Sequence, residues 1–151
     1  LELGTGLGVG TLYLSEGFPG EMVTVEGSAE RLEYAKRVVG PARGARIDFF
    51  RGLFEEGIAY AEPLLGRRML VYLDGDHTYE ATTRMVKMLI KKSGGAETAI
   101  VVDDIHWSAG MERAWHVCRE LPGVRFSVDL FRVGILFLKE ETGRQHFTIT
   151  F

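Results

Sequence analysis

The sequence predicts an α/β domain: a mostly parallel sheet layered with helices and finished by an antiparallel pair of strands. Three observations carry this. Short apolar runs alternate with helical patterns from Leu1 to about Leu121, the rhythm of strand–helix crossovers. From Val124 onward, "VRFSVDL", "GILFLK" and "HFTITF" follow one another with no helical pattern between them. Hydrophobic residues make up 46% of the 151, enough for a two-layer or three-layer core in one domain.

The elements follow in order. Leu1–Leu3 ends a first strand, glycines follow, and a helix runs from about Val9 to Gly17. "MVTVE" (22–26) is the second strand. Ser28 caps a helix reaching about Val39, with Leu32, Ala35 and Val39 on one face. "RIDFF" (46–50) is the third strand, and a short helix covers Glu55 to Leu65, weakened by Gly57 and Pro63. "MLVYLD" (69–74) is the fourth strand. The helix after it presents Ala81, Met85, Met88 and Leu89 to the core, runs to about Lys92, and stops at Gly94 and Gly95. "TAIVVD" (98–103) is the fifth strand, and Ser108 caps a helix that stops before Pro122. No internal repeat, low-complexity tract or linker interrupts the chain, so residues 1–151 read as a single domain. It opens at Leu1 inside a strand, and an N-terminal segment is expected to precede it.

Composition narrows the partners. A net charge of −3 disfavours a nucleic-acid backbone, which needs a basic face. No apolar run approaches the length of a membrane span. The lone cysteine, Cys118, permits no intrachain disulfide and suits a reducing cytoplasm. It follows Met111, Ala114 and Trp115 at helical spacing and reads as a core thiol. The expectation is a cytoplasmic protein acting on a small molecule, without a nucleic-acid or membrane partner. The closing strands leave a sheet edge that is either exposed or paired across a homodimer.

"ELGTGLGVG" (2–10) turns a strand sharply into a helix, and glycine permits both the turn and close approach of a ligand to the backbone. The dinucleotide fingerprint G-x-G-x-x-G fails in both frames, because its third glycine falls on Val9 or Thr11. An acid before the loop, Glu2, disfavours a pyrophosphate and suits a cationic amino group. A second acid, Glu26, ends the second strand, where a carboxylate accepts both ribose hydroxyls.

On these residues the sequence resembles the class I S-adenosylmethionine-dependent methyltransferases: "ELGTGLGVG" looks like their first motif and "VTVEGSAERLEYAKRVV" their second. The resemblance implies a Rossmann-like three-layer sandwich, with a mostly parallel seven-stranded sheet and an antiparallel C-terminal strand pair. It implies that Gly4, Gly6 and Gly8 line the methionine moiety with Glu2 near its amino end, that Glu26 takes the ribose, and that Leu53 lies near the adenine. Thr5, Gly27 and Asp74 complete the implied donor-binding set.

Asp74 ends the fourth strand, and Asp103 and Asp104 end the fifth. In an open parallel sheet, ligands sit beyond the carboxyl ends of the strands. Three carboxylates there would resist ionising together, and a hard cation such as magnesium removes the conflict. "LDGDH" and "VDDIHW" resemble the corresponding motifs of metal-dependent O-methyltransferases of the catechol, caffeoyl-coenzyme A and macrolide-sugar types. That implies a metal on Asp74, Asp103 and Asp104, and His77 as the base that takes the acceptor's hydroxyl proton. The lysine that catechol-type enzymes favour is missing between Arg68 and Lys87. Adjacent residues on a strand face opposite ways, so Asp103 and Asp104 converge only if the strand has already bent. His77 alternatively caps the helix beginning near Thr78. His106 and Trp107 wall the acceptor pocket, or Trp107 staples the next helix, and Asp129 and Arg132 take turn roles. The expected function is methyl transfer to a small-molecule hydroxyl. The alternatives are a metal-independent N-methyltransferase, a donor-binding domain without catalysis and, more remotely, a nicotinamide-binding oxidoreductase.

Overall fold

The computed structural model describes residues 1–18, 20–40, 46–94, 97–138 and 143–150. The chain divides into two compact units, Leu1–Ala61 and Glu62–Phe151.

The first unit contains β1 (Glu2–Leu3), α1 (Val9–Gly17), β2 (Glu21–Glu26), α2 (Ala29–Val39), β3 (Arg46–Arg51) and α3 (Phe54–Tyr60). Its strands are parallel in the order β3-β2-β1. The central strand β2 is buried from Met22 to Glu26, as a parallel strand covered on both faces must be. Ser28 Oγ accepts the Arg31 N–H at 3.2 Å and opens α2, whose Leu32, Ala35 and Val39 are buried as the helical spacing predicts. The third helix is shorter than expected and ends at Tyr60. Gly57 does more than weaken it. A Cβ there would lie 2.4 Å from Val25 Cγ2, so glycine lets α3 lie directly on β2.

The second unit contains β4 (Met69–Leu73), α4 (Tyr79–Ser93), β5 (Thr98–Val102), α5 (Ala109–Arg119), β6 (Val124–Asp129), β7 (Gly134–Leu138) and β8 (Gln145–Thr148). Strand order is β4-β5-β7-β6-β8. The antiparallel C-terminal pair is β6 and β7, and β7 also runs against β5, whereas β8 joins β6 in parallel. The described residues thus form eight strands where the resemblance implied seven; the run beginning at His146 supplies the edge strand β8. The Rossmann-like α/β class holds.

Thr78 and Ser108 cap α4 and α5 by accepting the Ala81 and Met111 N–H groups at 3.3 and 3.2 Å. Gly94 ends α4 in the left-handed conformation; Gly95 lies outside the described residues. Cys118 is buried on α5 beside Met111, Ala114 and Trp115, and burial pushes its thiol up to about 12, which keeps it protonated and inert. Strand alternation buries Val71, Leu73, Ile100, Val102, Leu136 and Leu138, and leaves Leu70, Tyr72, Ala99, Val101, Ile135 and Phe137 on a half-covered face. All four residues of β8 are exposed. The strand is clasped by His146, whose Nδ1 lies 2.6 Å from Ser127 Oγ and whose Nε2 lies 3.1 Å from Glu120, and by Arg144 on Glu120 at 2.9 Å. Among the described residues no helix is long and apolar enough to cross a membrane.

Two glycine substitutions separate packing from propensity. Gly57→Ala forces a methyl into Val25 and is expected to cost about 1–3 kcal/mol in urea unfolding. Gly17→Ala meets nothing within 4 Å on α1 and should be neutral or stabilising by up to about 1 kcal/mol.

Candidate functional site

The glycine loop of the first unit is held from below. Gly4 and Thr5 donate their N–H groups to Val25 O at 3.0 and 3.1 Å, and Gly8 donates to Thr5 O at 2.9 Å. Gly4, Gly6 and Gly8 have φ of 114°, 54° and 87°, the left-handed region that favours glycine. Gly8 is fixed twice over, because a Cβ there would also lie 2.9 Å from Ala35 Cα on α2. Nothing lies within 4 Å of a Cβ built on Gly6, which leaves room for a ligand against the backbone. No side chain caps the N-terminus of α1.

Two carboxylates organise this loop differently from expectation. Glu26 Oε2 accepts the Gly6 N–H at 3.0 Å and Oε1 the Ser28 N–H at 2.9 Å, so the acid that ends β2 grips the middle of the loop. Glu2 is 1% exposed. Its Oε2 accepts the Thr11 and Thr24 hydroxyls, both at 2.5 Å, and Thr5 Oγ1 lies 2.6 Å from Thr24 Oγ1. The side chains of Glu2 and Thr5 therefore face inward and brace strand to helix. At the end of β3, Gly52 N–H reaches Glu26 O at 3.1 Å. Gly52 O lies 3.9 Å from a Cβ built on Gly27, and Leu53, the next residue, is 66% exposed.

In the second unit, Leu73 of β4 pairs with Val102 of β5, so Asp74 and Asp103 follow at neighbouring strand ends. The anticipated bend is present: Asp104 has φ of 53°, and its N–H donates to Asp103 Oδ1 at 2.9 Å. Both acids converge, but on an arginine. Arg132 Nε lies 3.6 Å from Asp103 Oδ1 and 3.5 Å from Asp104 Oδ1. Asp103 Oδ2 also accepts the Tyr72 hydroxyl at 3.0 Å. Burial, then Asp103, hold that phenol's pKa far above its ordinary value. Burial first, then the Asp103 charge, raise the pKa of Asp74. His77 Nε2 lies 3.7 Å from Asp74 Oδ1. The cap of α4 is Thr78 and not His77, and Asp76 (φ 47°) completes that turn by accepting the Thr78 hydroxyl at 3.3 Å.

This geometry lends the expected metal no support. Among the described residues no group of three acids, histidines or cysteines is placed to hold an ion. Asp103 accepts the Tyr72 hydroxyl and the Asp104 N–H, and the Arg132 guanidinium stands beside both acids.

Asp129 is a hub. It accepts the Trp115 indole N–H at 3.0 Å and the Phe131 N–H at 2.9 Å, and lies 3.1 Å from His106 Nε2. Burial alone would raise its pKa, but the Phe131 N–H, His106 and Trp115 together hold it below the ordinary value. His106 stacks on Phe131, whose φ is 70°. Phe131 and Trp107 are each 74% exposed.

A family model described as "Methyltransferase domain" matches residues 1–105, a span containing the glycine loop, Glu26, Asp74, His77, Asp103 and Asp104. The chain belongs to this family. The methyltransferase domain also resembles two solved structures in fold. One is fibrillarin of Aeropyrum pernix with natively bound S-adenosyl-L-methionine, at 15% identity and a TM-score of 0.57 over 91% of this chain. The other is a fibrillarin/Nop5p complex, at 17% identity and a TM-score of 0.59 over 91% of this chain and 70% of that one. The methyltransferase domain spans 64% of the length of the Aeropyrum chain. No curated protein matches it in sequence.

The sequence marks Arg132 and Asp129 only as turn residues and Tyr72 only as a strand residue. Tyr72 had a readable signal, because it lies two residues before Asp74 on the strand that leads to it. Arg132 had none, since its partners are about thirty residues away.

The lowered pKa of Asp129 sets a pH dependence. The stability it contributes is complete above the unfolded value of about 3.9 and is lost as pH falls through the lower folded value. Asp129→Asn should cost about 1–3 kcal/mol at pH 7 and flatten the acid limb of urea midpoints measured from pH 7 to 2. An unchanged acid limb would show that Asp129 contributes nothing to it.

Proposed function

We propose that this methyltransferase domain binds S-adenosylmethionine on its glycine loop and transfers the methyl group to a hydroxyl oxygen of a small molecule, with His77 as general base. The observation that carries donor binding is Glu26. Its oxygens each hold one backbone N–H, of Gly6 and of Ser28, and a carboxylate has acceptor capacity left on both for a ribose diol. One residue thereby sets the loop and reads the sugar. Gly6 offers open backbone to the methionine portion, and exposed Leu53 offers an apolar surface to the adenine. Glu2 serves this site at one remove, through Thr11 and Thr24. Binding of the donor by the Aeropyrum fibrillarin, whose fold is similar, supports the assignment.

In the transfer itself the methyl carbon–sulfur bond breaks with its electron pair going to sulfur, and a carbon–oxygen bond forms. The acceptor's proton must leave. His77 suits that step, because its Nε2 lies 3.7 Å from Asp74 Oδ1, a partner that can orient the ring. A positioned base is worth about 10²–10⁴ in rate. The net charge of −3 supports a small acceptor over a nucleic-acid backbone. The reaction proposed here needs no metal, because Arg132 already balances Asp103 and Asp104. Magnesium assistance is a second reading that requires Arg132 to leave both carboxylates first.

Calorimetric titration with S-adenosylhomocysteine tests the donor site. Glu26→Ala should weaken binding ten- to a hundredfold, and undiminished affinity sinks the ribose assignment. With labelled donor and a panel of phenolic and sugar hydroxyls, His77→Gln should lower kcat by about 10²–10⁴ and leave donor affinity unchanged. The rate should be the same in EDTA; a loss restored by magnesium establishes the metal reading instead.

A further inference from the structure

Helix α4 carries four cations, Arg84, Lys87, Lys91 and Lys92, and one acid, Glu80. The chain as a whole has 21 acids against 18 lysines and arginines, so this helix inverts the charge balance of the molecule. The helix dipole accounts for cations in the last turn, which holds Lys91 and Lys92. It does not account for Arg84 and Lys87, which stand farther in. We propose that the outer face of α4 is a docking surface for an acidic amphipathic helix of a partner protein.

Three observations specify that partner. The first is shape. A shallow groove of about 360 Å³ is lined by Thr83, Arg84, Lys87, Met88 and Lys91. These residues fall on two adjacent rows at four-residue spacing, Thr83-Lys87-Lys91 and Arg84-Met88. A channel between such rows is the form that receives the ridge of a second helix. Met85, Val86 and Leu89 are buried, so the groove lies on the face turned away from the core. The second is charge. Surface cations elsewhere are answered by acids: Lys36 by Glu33 at 2.7 Å, Arg144 by Glu120 at 2.9 Å, and Lys92 by Glu62 at 2.6 Å. Lys87 and Lys91 are both exposed, and among the described residues neither has a carboxylate partner. They stand one turn apart, about 6 Å along the axis, and like charges at this spacing repel. Acids at the same spacing on a partner helix relieve that repulsion. The assignment rests on these two lysines, with Arg84 beside them in the lining. The third is Met88. It is half-buried and lies among the cations, where its flexible thioether adapts to a partner's apolar side chain. A phosphate backbone makes no use of such a contact, so Met88 favours a protein helix over a nucleic-acid strand, as does the net charge of −3.

The probe is an alanine-rich helical peptide with glutamates four residues apart and a leucine beside them. It is titrated into the isotopically labelled chain and followed by amide NMR. Binding should saturate, with shifts from Thr83 to Lys91. A peptide with glutamine in place of glutamate should bind at least tenfold more weakly. Lys87→Glu and Lys91→Glu should each weaken the glutamate peptide about tenfold. The double substitution should bind a lysine version of the peptide in its place. Glutamate is about as good a helix former as lysine, so these variants keep the fold, and the exchanged preference reports it. Shifts that do not saturate or that map elsewhere overturn the proposal. So does equal binding of the glutamine peptide, indifference to both substitutions, failure of the charge exchange, or tighter binding of an oligouridylate of equal charge. Neither lysine belongs to the donor loop or the aspartate cluster, so S-adenosylhomocysteine affinity should be unchanged in both variants, and the two proposals fail independently.

Discussion

A single carboxylate coordinates the first unit. Glu26 closes the second strand and reaches back across twenty residues to the N–H of Gly6, while its other oxygen takes the N–H of Ser28. Its own carbonyl receives Gly52 from the end of the third strand. Three loops that leave parallel strands are thus tied to one residue. The left-handed angles of the glycines are tolerable because this tether and the hydrogen bonds to Val25 O fix them. Glu2 does a similar job one layer lower, with hydroxyls in place of backbone amides. The loop can therefore be rigid before any ligand arrives, and preorganisation of that kind is what a binding loop needs.

The second unit resolves a different conflict. Neighbouring strands end in register at acids, and like charges at close range resist ionising together. Two devices relieve this. Arg132 spans Asp103 and Asp104 from the turn between β6 and β7, and Asp74, whose pKa is raised, absorbs part of the strain by holding its proton more tightly. The turn is anchored in its own right, since Arg132 O accepts the Ile105 N–H at 3.1 Å and Asp129 accepts the Phe131 N–H. A side chain in an anchored turn of this sort sets a cation beside the acids.

Much of this was legible in the sequence because it is local. The caps at Ser28, Thr78 and Ser108 depend on a residue and the next turn, and the strands depend on alternation within five or six positions. Val9–Gly17 and Ala29–Val39 fall where the pattern places them. The third helix was overextended, because Gly57 is there for contact with Val25, a residue on another element. The three aspartates were read correctly as strand-end acids, and the bend at Asp104 was anticipated as a requirement. The arginine beside them was not legible for a physical reason: charge balance is satisfied in space, and a surface arginine in a turn carries no periodic or capping signature. Asp129 is hidden in the same way, since its donors come from a helix, a loop and its own turn.

The approach of Gly8 to Ala35 has a bearing on descent as well as on packing. Positions 27 residues apart in the chain occupy one volume that holds a hydrogen and a methyl group and little more. A lineage that enlarges either residue must shift the helix carrying the other, and that helix begins just beyond the loop-gripping acid. The two positions are therefore sterically coupled, and enlargement at one is restrained by the other even though neither carries a functional group.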